Sequence, residues 1–199
     1  MSHFNEIANK WDSPQKIGTA KLVAKKIKEK INLENQDLDI LDFGCGTGLI
    51  AFEFIEHAKK LVGVDPSAGM LEIFKQKGEG QDKVEAHLLN LEESNLDQKF
   101  DLIVTATAFH HLNEPREMLS KLYGMLRNGG QLALVDLDKE DGSFHPDNEG
   151  MGVKHFGFSE EEILAWGDQA GFAKTNRTII HSFEKNNKSY PLFLAVFNK

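Results

Sequence analysis

Between about residue 38 and residue 137, short apolar runs alternate with longer mixed stretches, and this alternation sets the architecture. Runs ending near Phe43 and at Asp65, and those over 84–89, 100–105 and 131–137, read as strands. Between them, residues 49–58, the segment holding Met70, Leu71 and Phe74, and residues 115–126 carry apolar positions at helical spacing. Strands and helices in strict alternation predict a parallel sheet with helices on both faces. Ahead of the first strand, Ser13-Pro14 reads as a helix cap followed by proline in the first turn. Ile17, Ala20, Ala24, Ile27 and Ile31 then form one buried stripe, and polar residues 32–37 form a loop. After Gly171 the pattern changes. Residues 174–183 and 190–197 read as two strands joined by the polar turn 184–188, an antiparallel hairpin at the sheet edge.

One segment fits neither period. Residues 138–158 are polar and rich in glycine and histidine, and they leave the carboxyl end of the fifth strand. Loops of this length inside compact domains are uncommon and often functional. The expected role is a rim or lid over a substrate pocket, with a plain surface connection as the alternative. The helix that follows has a clear start, because Ser159 and Glu162 have the spacing of a capping box.

The chemistry concentrates at Leu41-Asp42-Phe43-Gly44-Cys45-Gly46-Thr47-Gly48, where a hydrophobic strand runs into a Gly-x-Gly-x-Gly turn. Such a turn lets a ligand approach the backbone, and the helix start beyond it offers free N–H groups. Open α/β sheets bind ligands at this end of their strands. The dinucleotide fingerprint needs its third glycine one position later, where Leu49 stands. Asp65 closes the next run, Leu61-Val62-Gly63-Val64, at the distance of a carboxylate that grips a ribose diol. A ribose is therefore expected without a pyrophosphate. The alternative for Asp65 is a helix N-cap ahead of Pro66.

These motifs resemble those of class I S-adenosylmethionine-dependent methyltransferases. Leu41 to Gly48 matches the first motif and Val62-Gly63-Val64-Asp65-Pro66-Ser67 the second. Phe100 to Val104 with Phe109-His110-His111-Leu112 is similar to the fourth-strand motif of members that act on small molecules. Leu126-Arg127-Asn128-Gly129-Gly130-Gln131-Leu132 is similar to the turn before the fifth strand. Two positions depart from the family pattern: Asn90 replaces the usual aspartate, and Asn128 the usual proline. The resemblance implies one Rossmann-like α/β domain over 1–199. Its three-layer sandwich would hold a seven-stranded, mostly parallel sheet in the order 3-2-1-4-5-7-6, with an antiparallel C-terminal hairpin.

The resemblance also implies S-adenosyl-L-methionine as cofactor and a set of contacts. Gly44, Cys45, Gly46 and Gly48 would meet its methionine end, with Asp42 orienting the ammonium. Asp65 and Pro66 would sit at the ribose, Asn90 and Leu91 at the adenine, and Thr105 and Ala106 at the end of strand four. For Asn90 the alternative is a turn residue. Residues 1–36 would supply an N-terminal lid and helix, in which Trp11 either stacks over the cofactor or anchors the core.

Histidine is the side chain most readily poised as a base near neutral pH. His110, His111 and His145 are therefore candidates to take a proton from an acceptor hydroxyl, thiol or amine, against a plain turn-shaping role. The spacing of His110, His145, Asp147 and His155 matches no compact zinc motif, so no metal is expected. The formal net charge of −8 argues against a nucleic-acid surface, and the early lysines (21, 25, 26, 28 and 30) read as the solvated face of a helix. No apolar run approaches the roughly 20 residues that span a bilayer, and no signal-peptide stretch stands at the start. The single cysteine, Cys45, leaves no internal disulfide, which fits a reducing cytoplasm. The expected activity is methyl transfer to a small-molecule acceptor. A tRNA or protein acceptor, or a non-catalytic cofactor-binding module, is the alternative.

Overall fold

The computed structural model describes residues 2–33, 37–185 and 187–199. Seven strands form one sheet in the order β3-β2-β1-β4-β5-β7-β6. They are β1 (Leu38–Phe43), β2 (Ala58–Asp65), β3 (Val84–Leu88), β4 (Phe100–Ala106), β5 (Leu126–Leu137), β6 (Lys174–Lys185) and β7 (Lys188–Asn198). The first five pair in parallel, while β7 runs antiparallel to both β5 and β6. This is the topology and the C-terminal hairpin that the resemblance implied. Part of the 32–37 loop (34–36) and Asn186 of the hairpin turn lie outside the described residues.

Among the described residues there are five α-helices, α1 (Ser2–Ile7), α2 (Pro14–Lys28), α3 (Ala68–Lys77), α4 (Pro115–Met125) and α5 (Glu160–Ala170), of which α2 to α5 flank the sheet. On one face Val23, Ala24 and Ile27 of α2 and Leu71 and Phe74 of α3 pack against Ile40, Leu61 and Val104. On the other, Met118, Leu119 and Leu122 of α4 and Ile163 of α5 pack against Leu41, Val62, Ile103 and Leu134. Alternate strand residues thus feed opposite cores, as the pleat requires. Helix starts follow local chemistry. Ser13 caps α2 by accepting from the Lys16 N–H at 3.3 Å, with Pro14 in the first turn. Ser159 and Glu162 form the expected capping box on α5, and Gly171 closes that helix at φ 94°. Among the described residues no helix is long and apolar enough to cross a membrane.

Two elements differ from the sequence reading. The helix expected over 49–58 is a 3₁₀ coil, Ala51–His57, so the glycine turn feeds a tighter and shorter structure. Strand β5 begins at Leu126, which pairs with Phe100, five residues before the expected start. Gly129 at φ 79° takes up the irregular register there.

Candidate active site

The glycine turn sits at the tip of β1, the strand between β2 and β4. Gly44 and Gly46 take φ 69° and 52°, backbone that other residues rarely adopt. A Cβ on Gly44 would stand 2.5 Å from the Ala108 Cβ, whereas one on Gly46 would meet nothing within 4 Å. The turn is therefore packed on the Gly44 side and open at Gly46. Behind it Phe74 fills the space under Gly48 and Gly63, where a Cβ would approach its ring to 2.8 and 2.5 Å. Cys45 is buried and its thiol is pushed well up by burial, then by Asp42 and Asp65, which leaves it a packing residue.

Asp65 lies at the end of β2 and spends one lone pair of each oxygen on the backbone. Its Oδ2 accepts from the Gly46 N–H and its Oδ1 from the Ser67 N–H, both at 2.8 Å. A carboxylate offers about four acceptor positions, so one on each oxygen remains. Asp65 is not the N-cap of α3, because Ser67 caps that helix by accepting from Met70. Asn90 follows β3, and its side-chain carbonyl accepts from the Glu92 N–H at 3.1 Å, the turn role weighed as its alternative. Leu91 is buried in the α4-side core, which leaves only its backbone to face a ligand. Pro66 is exposed beside Asp65, and Ala106 is half-buried at the end of β4.

Four buried polar atoms around these strand tips have no hydrogen-bond partner among the described residues: Asp42 Oδ2, Thr105 Oγ1, His110 Nε2 and His145 Nδ1. Such an atom costs about 1–3 kcal/mol when left unpaired, so a group of them marks a place made for a ligand. Thr107, the residue after β4, has φ 54°, a strained conformation that swings Ala108 against Gly44.

The histidines converge. Rings of His110 and His111 lie 4.1 Å apart and those of His110 and His145 5.1 Å, centroid to centroid. His155 stands aside, with its Nε2 3.0 Å from the Leu112 carbonyl and its N–H donating to the His110 carbonyl. Among the described residues, no group of three or more His, Cys, Asp or Glu is arranged to hold a metal ion. Burial, followed by repulsion from His110, lowers both His111 and His145 to about 4, so each is a neutral imidazole at neutral pH.

The N-terminal segment crosses the crevice. Asn5 accepts from the Ser67 hydroxyl and the Gly69 N–H at 2.8 and 2.9 Å, which fixes α1 beyond β2. Phe4 meets the His111 ring edge-on at 5.3 Å, which fixes it beyond β4. A segment touching both must pass over the tip of β1. Asp12 completes the attachment by accepting from Thr47 of the glycine turn at 2.6 Å and pairing with Lys77 at 2.5 Å. Trp11 is only half-buried, with Phe4 at 5.8 Å and the Lys16 ammonium 3.0 Å from its ring centre, so it is not a core anchor.

The sequence reading placed Asn5 and Asp12 in a segment that resembles one folding over the cofactor and Thr47 in the glycine turn, but the contacts of these residues, the strain at Thr107 and the role of Asp136 escaped it. The last had a signal, a lone carboxylate inside the apolar run 132–137. It is fully buried and bonded to His110.

A sequence model for a family described as a methyltransferase domain matches residues 41–132, from the glycine turn into β5. Over that stretch, just under half of its length, the chain matches the methyltransferase domain family. The chain is 29% identical to an uncharacterised methyltransferase of Schizosaccharomyces pombe, over 82% of its own length and 75% of that protein. It is 30% identical to a malonyl-[acyl-carrier protein] O-methyltransferase of Acetivibrio thermocellus, over 66% of this chain and 46% of the other; it thus spans about half of that relative. In fold it matches a methyltransferase of Thermotoga maritima described as a possible histamine N-methyltransferase, over the whole of both chains, with a TM-score of 0.73 and 20% identity. The site fits S-adenosylmethionine, the cofactor that the resemblance implied. The open Gly46 backbone, the spare acceptors of Asp65 and the unpartnered Asp42 oxygen suit an amino acid joined to a ribose.

Proposed function

We propose that this methyltransferase methylates a small-molecule acceptor held between the N-terminal strap and the loop 138–158. S-adenosylmethionine supplies a methyl group on a sulfonium, whose sulfur leaves as a neutral thioether. The chain's own work is to bind, orient and exclude water. Backbone at Gly44, Cys45, Gly46 and Gly48 receives the methionine end, and Asp42 accepts from its ammonium. Asp65, beside Pro66, accepts from the two ribose hydroxyls, and Asn90 and Leu91 border the adenine. Thr105 and Ala106 floor the position of the methyl group, and Trp11 with α1 shields it from water. His110, His111 and His145 face the acceptor side. The observation that carries the reading is the convergence of four unpartnered buried polar atoms at the strand tips under a strap tied down on both flanks. The net charge of −8 supports a small molecule over a nucleic acid.

The reading is tested by thermal shift and acceptor screening. S-adenosylmethionine and S-adenosylhomocysteine are expected to raise the melting temperature, and nicotinamide dinucleotides to leave it unchanged. A small-molecule library is then screened for S-adenosylhomocysteine release. Stabilisation by the nicotinamide compounds alone would overturn it.

Electrostatics adds a second check. Burial pushes the Asp42 carboxyl well above its ordinary range, with Asp65 adding to the effect, and burial raises Asp65 as well. For both groups the folded pKa exceeds the unfolded one. Their contribution to stability is full below the unfolded value of about 3.9 and is lost as pH rises through the folded value. An ammonium laid against Asp42 favours the ionised form, so cofactor binding should release protons. Calorimetry at one pH in two buffers of different ionisation enthalpy should read net release for the wild type and a smaller one for Asp42→Asn. Wild-type heats that do not depend on the buffer would remove the ammonium from Asp42.

A further inference from the structure

We propose that His110 takes the acceptor's proton, that Asp136 is the positioning residue that prepares it, and that the acceptor is a hydroxyl on a flat ring rather than a carboxylate. The proposal rests on the methyl-transfer reading and gives it a base and a substrate class.

Asp136 lies in β5 with no exposed surface, among Leu134, Val135 and Leu137. A carboxylate is buried so deeply only when it is bonded. Asp136 accepts from the Leu137 N–H at 2.7 Å and from the His110 N–H at 3.2 Å, and its Oδ1 lies 2.7 Å from His110 Nδ1. This contact places the proton on Nδ1 and leaves Nε2 as a bare lone pair. Nε2 is buried yet has no partner among the described residues. A histidine that served only to shape the turn would have spent that nitrogen on a neighbour.

The other two histidines are poorer bases. His111 turns its Nδ1 to the Gly152 carbonyl at 3.2 Å, and burial holds it at about 4. His145 is held at about 4 by burial, then by His110 and Lys185. Among the described residues neither is bonded to a carboxylate, so neither has an anion to steady the imidazolium that proton uptake creates. The groups that face His110 are therefore Asp136 from β5, His111 beside it and His145 from the long loop, with Lys185 reaching His145 from β6.

The surroundings define the acceptor. Ring contacts run without a break from Phe4 through His111, His110 and His145 to Phe144, at 5.3, 4.1, 5.1 and 4.8 Å. A band of ring faces and edges suits a flat aromatic molecule. Lys185 gives one of its three N–H donors to the Phe144 carbonyl, which anchors its ammonium at that end of the band. A carboxylate has no proton to lose at neutral pH. A ring hydroxyl has the proton that Nε2 can accept. In the step, the O–H proton passes to Nε2 and the oxygen pair forms the new bond to the methyl carbon. The C–S bonding pair stays on sulfur, and the imidazolium later returns its proton to water.

The test uses the full chain, with catechol and benzoate as matched probes. Wild type is expected to release S-adenosylhomocysteine with catechol and not with benzoate. Asp136→Asn and His110→Gln should each lower kcat at least 100-fold while their calorimetric affinity for S-adenosylmethionine stays within threefold of wild type. Nitrogen-15 NMR of the cofactor-bound wild type should show His110 protonated on Nδ1 and bare on Nε2, a signature lost in Asp136→Asn. Should Asp136→Asn fail to fold, His110→Gln and the wild-type tautomer still decide. A proton on Nε2 in the wild type overturns the proposal, as does turnover within threefold of wild type in His110→Gln, or methylation of benzoate in preference to catechol. Absence of S-adenosylmethionine binding to the wild type would instead overturn the methyl-transfer reading itself.

Discussion

Replacing Asp65 by alanine is expected to weaken S-adenosylmethionine binding by two orders of magnitude or more. Each oxygen of this carboxylate already accepts one backbone N–H, from Gly46 or from Ser67, so its direction is set before any ligand arrives. The remaining acceptor on each oxygen can take one ribose hydroxyl. Hydrogen bonds to a charged group contribute about 1.5–3 kcal/mol each, and about 1.4 kcal/mol is tenfold in affinity. Two such bonds therefore correspond to roughly a hundredfold or more. The substitution also frees the Gly46 N–H, which slackens the turn that receives the other end of the cofactor. Isothermal calorimetry reads the effect directly. A loss smaller than about fivefold, less than a single such bond supplies, would remove Asp65 from the site.

Phe74→Ala is expected to have the largest effect on stability. The ring is fully buried and packs under two glycines at once, Gly48 of the turn and Gly63 of β2, with Phe52 at 5.0 Å between centroids. Neither glycine carries a side chain that could swing into the space, so the void cannot close cheaply. Removing a buried phenylalanine costs about 3–5 kcal/mol. For a chain of this size that is roughly 6–20 °C in melting temperature. Urea unfolding followed by circular dichroism checks it, and a loss below 1 kcal/mol would mean that the glycine turn does not rest on this ring. The variant should also bind the cofactor weakly, because α3 and the turn share the same support.

Much of the fold was legible because a parallel sheet buries both faces and so writes its strands as continuous apolar runs. Phe43, Asp65 and Leu137 end strands where the runs end. The hairpin was readable from the polar turn between two apolar stretches, and the α5 start from Ser159 and Glu162. Helix type was less legible. Residues 51–57 have helical spacing, yet they form a 3₁₀ coil between the glycine turn and β2, a distinction that apolar spacing over so few residues does not make. The β5 start was hidden because Arg127, Asn128 and Gly129 look like a turn, whereas pairing with β4 resumes at Leu126.

The candidate site divides in the same way. Gly44, Gly46, Gly48 and Asp65 stand in a local motif and could be read from spacing alone. Asn5 and Asp12 act on partners 62 and 35 residues away, and no local pattern encodes such a meeting. Asp136 lies between these cases. Its place in an apolar run was a visible anomaly, but only the fold brings His110 to it from 26 residues upstream.

Helix α1 has a consequence for traffic through the enzyme. Because Asn5 and Phe4 reach past β2 and past β4 respectively, a single short helix spans the places proposed for donor and acceptor alike. On that proposal the two reactants would share one doorway, loading and discharge would follow the same unhooking motion, and a wedge driven beneath Phe4 would stall both at a stroke.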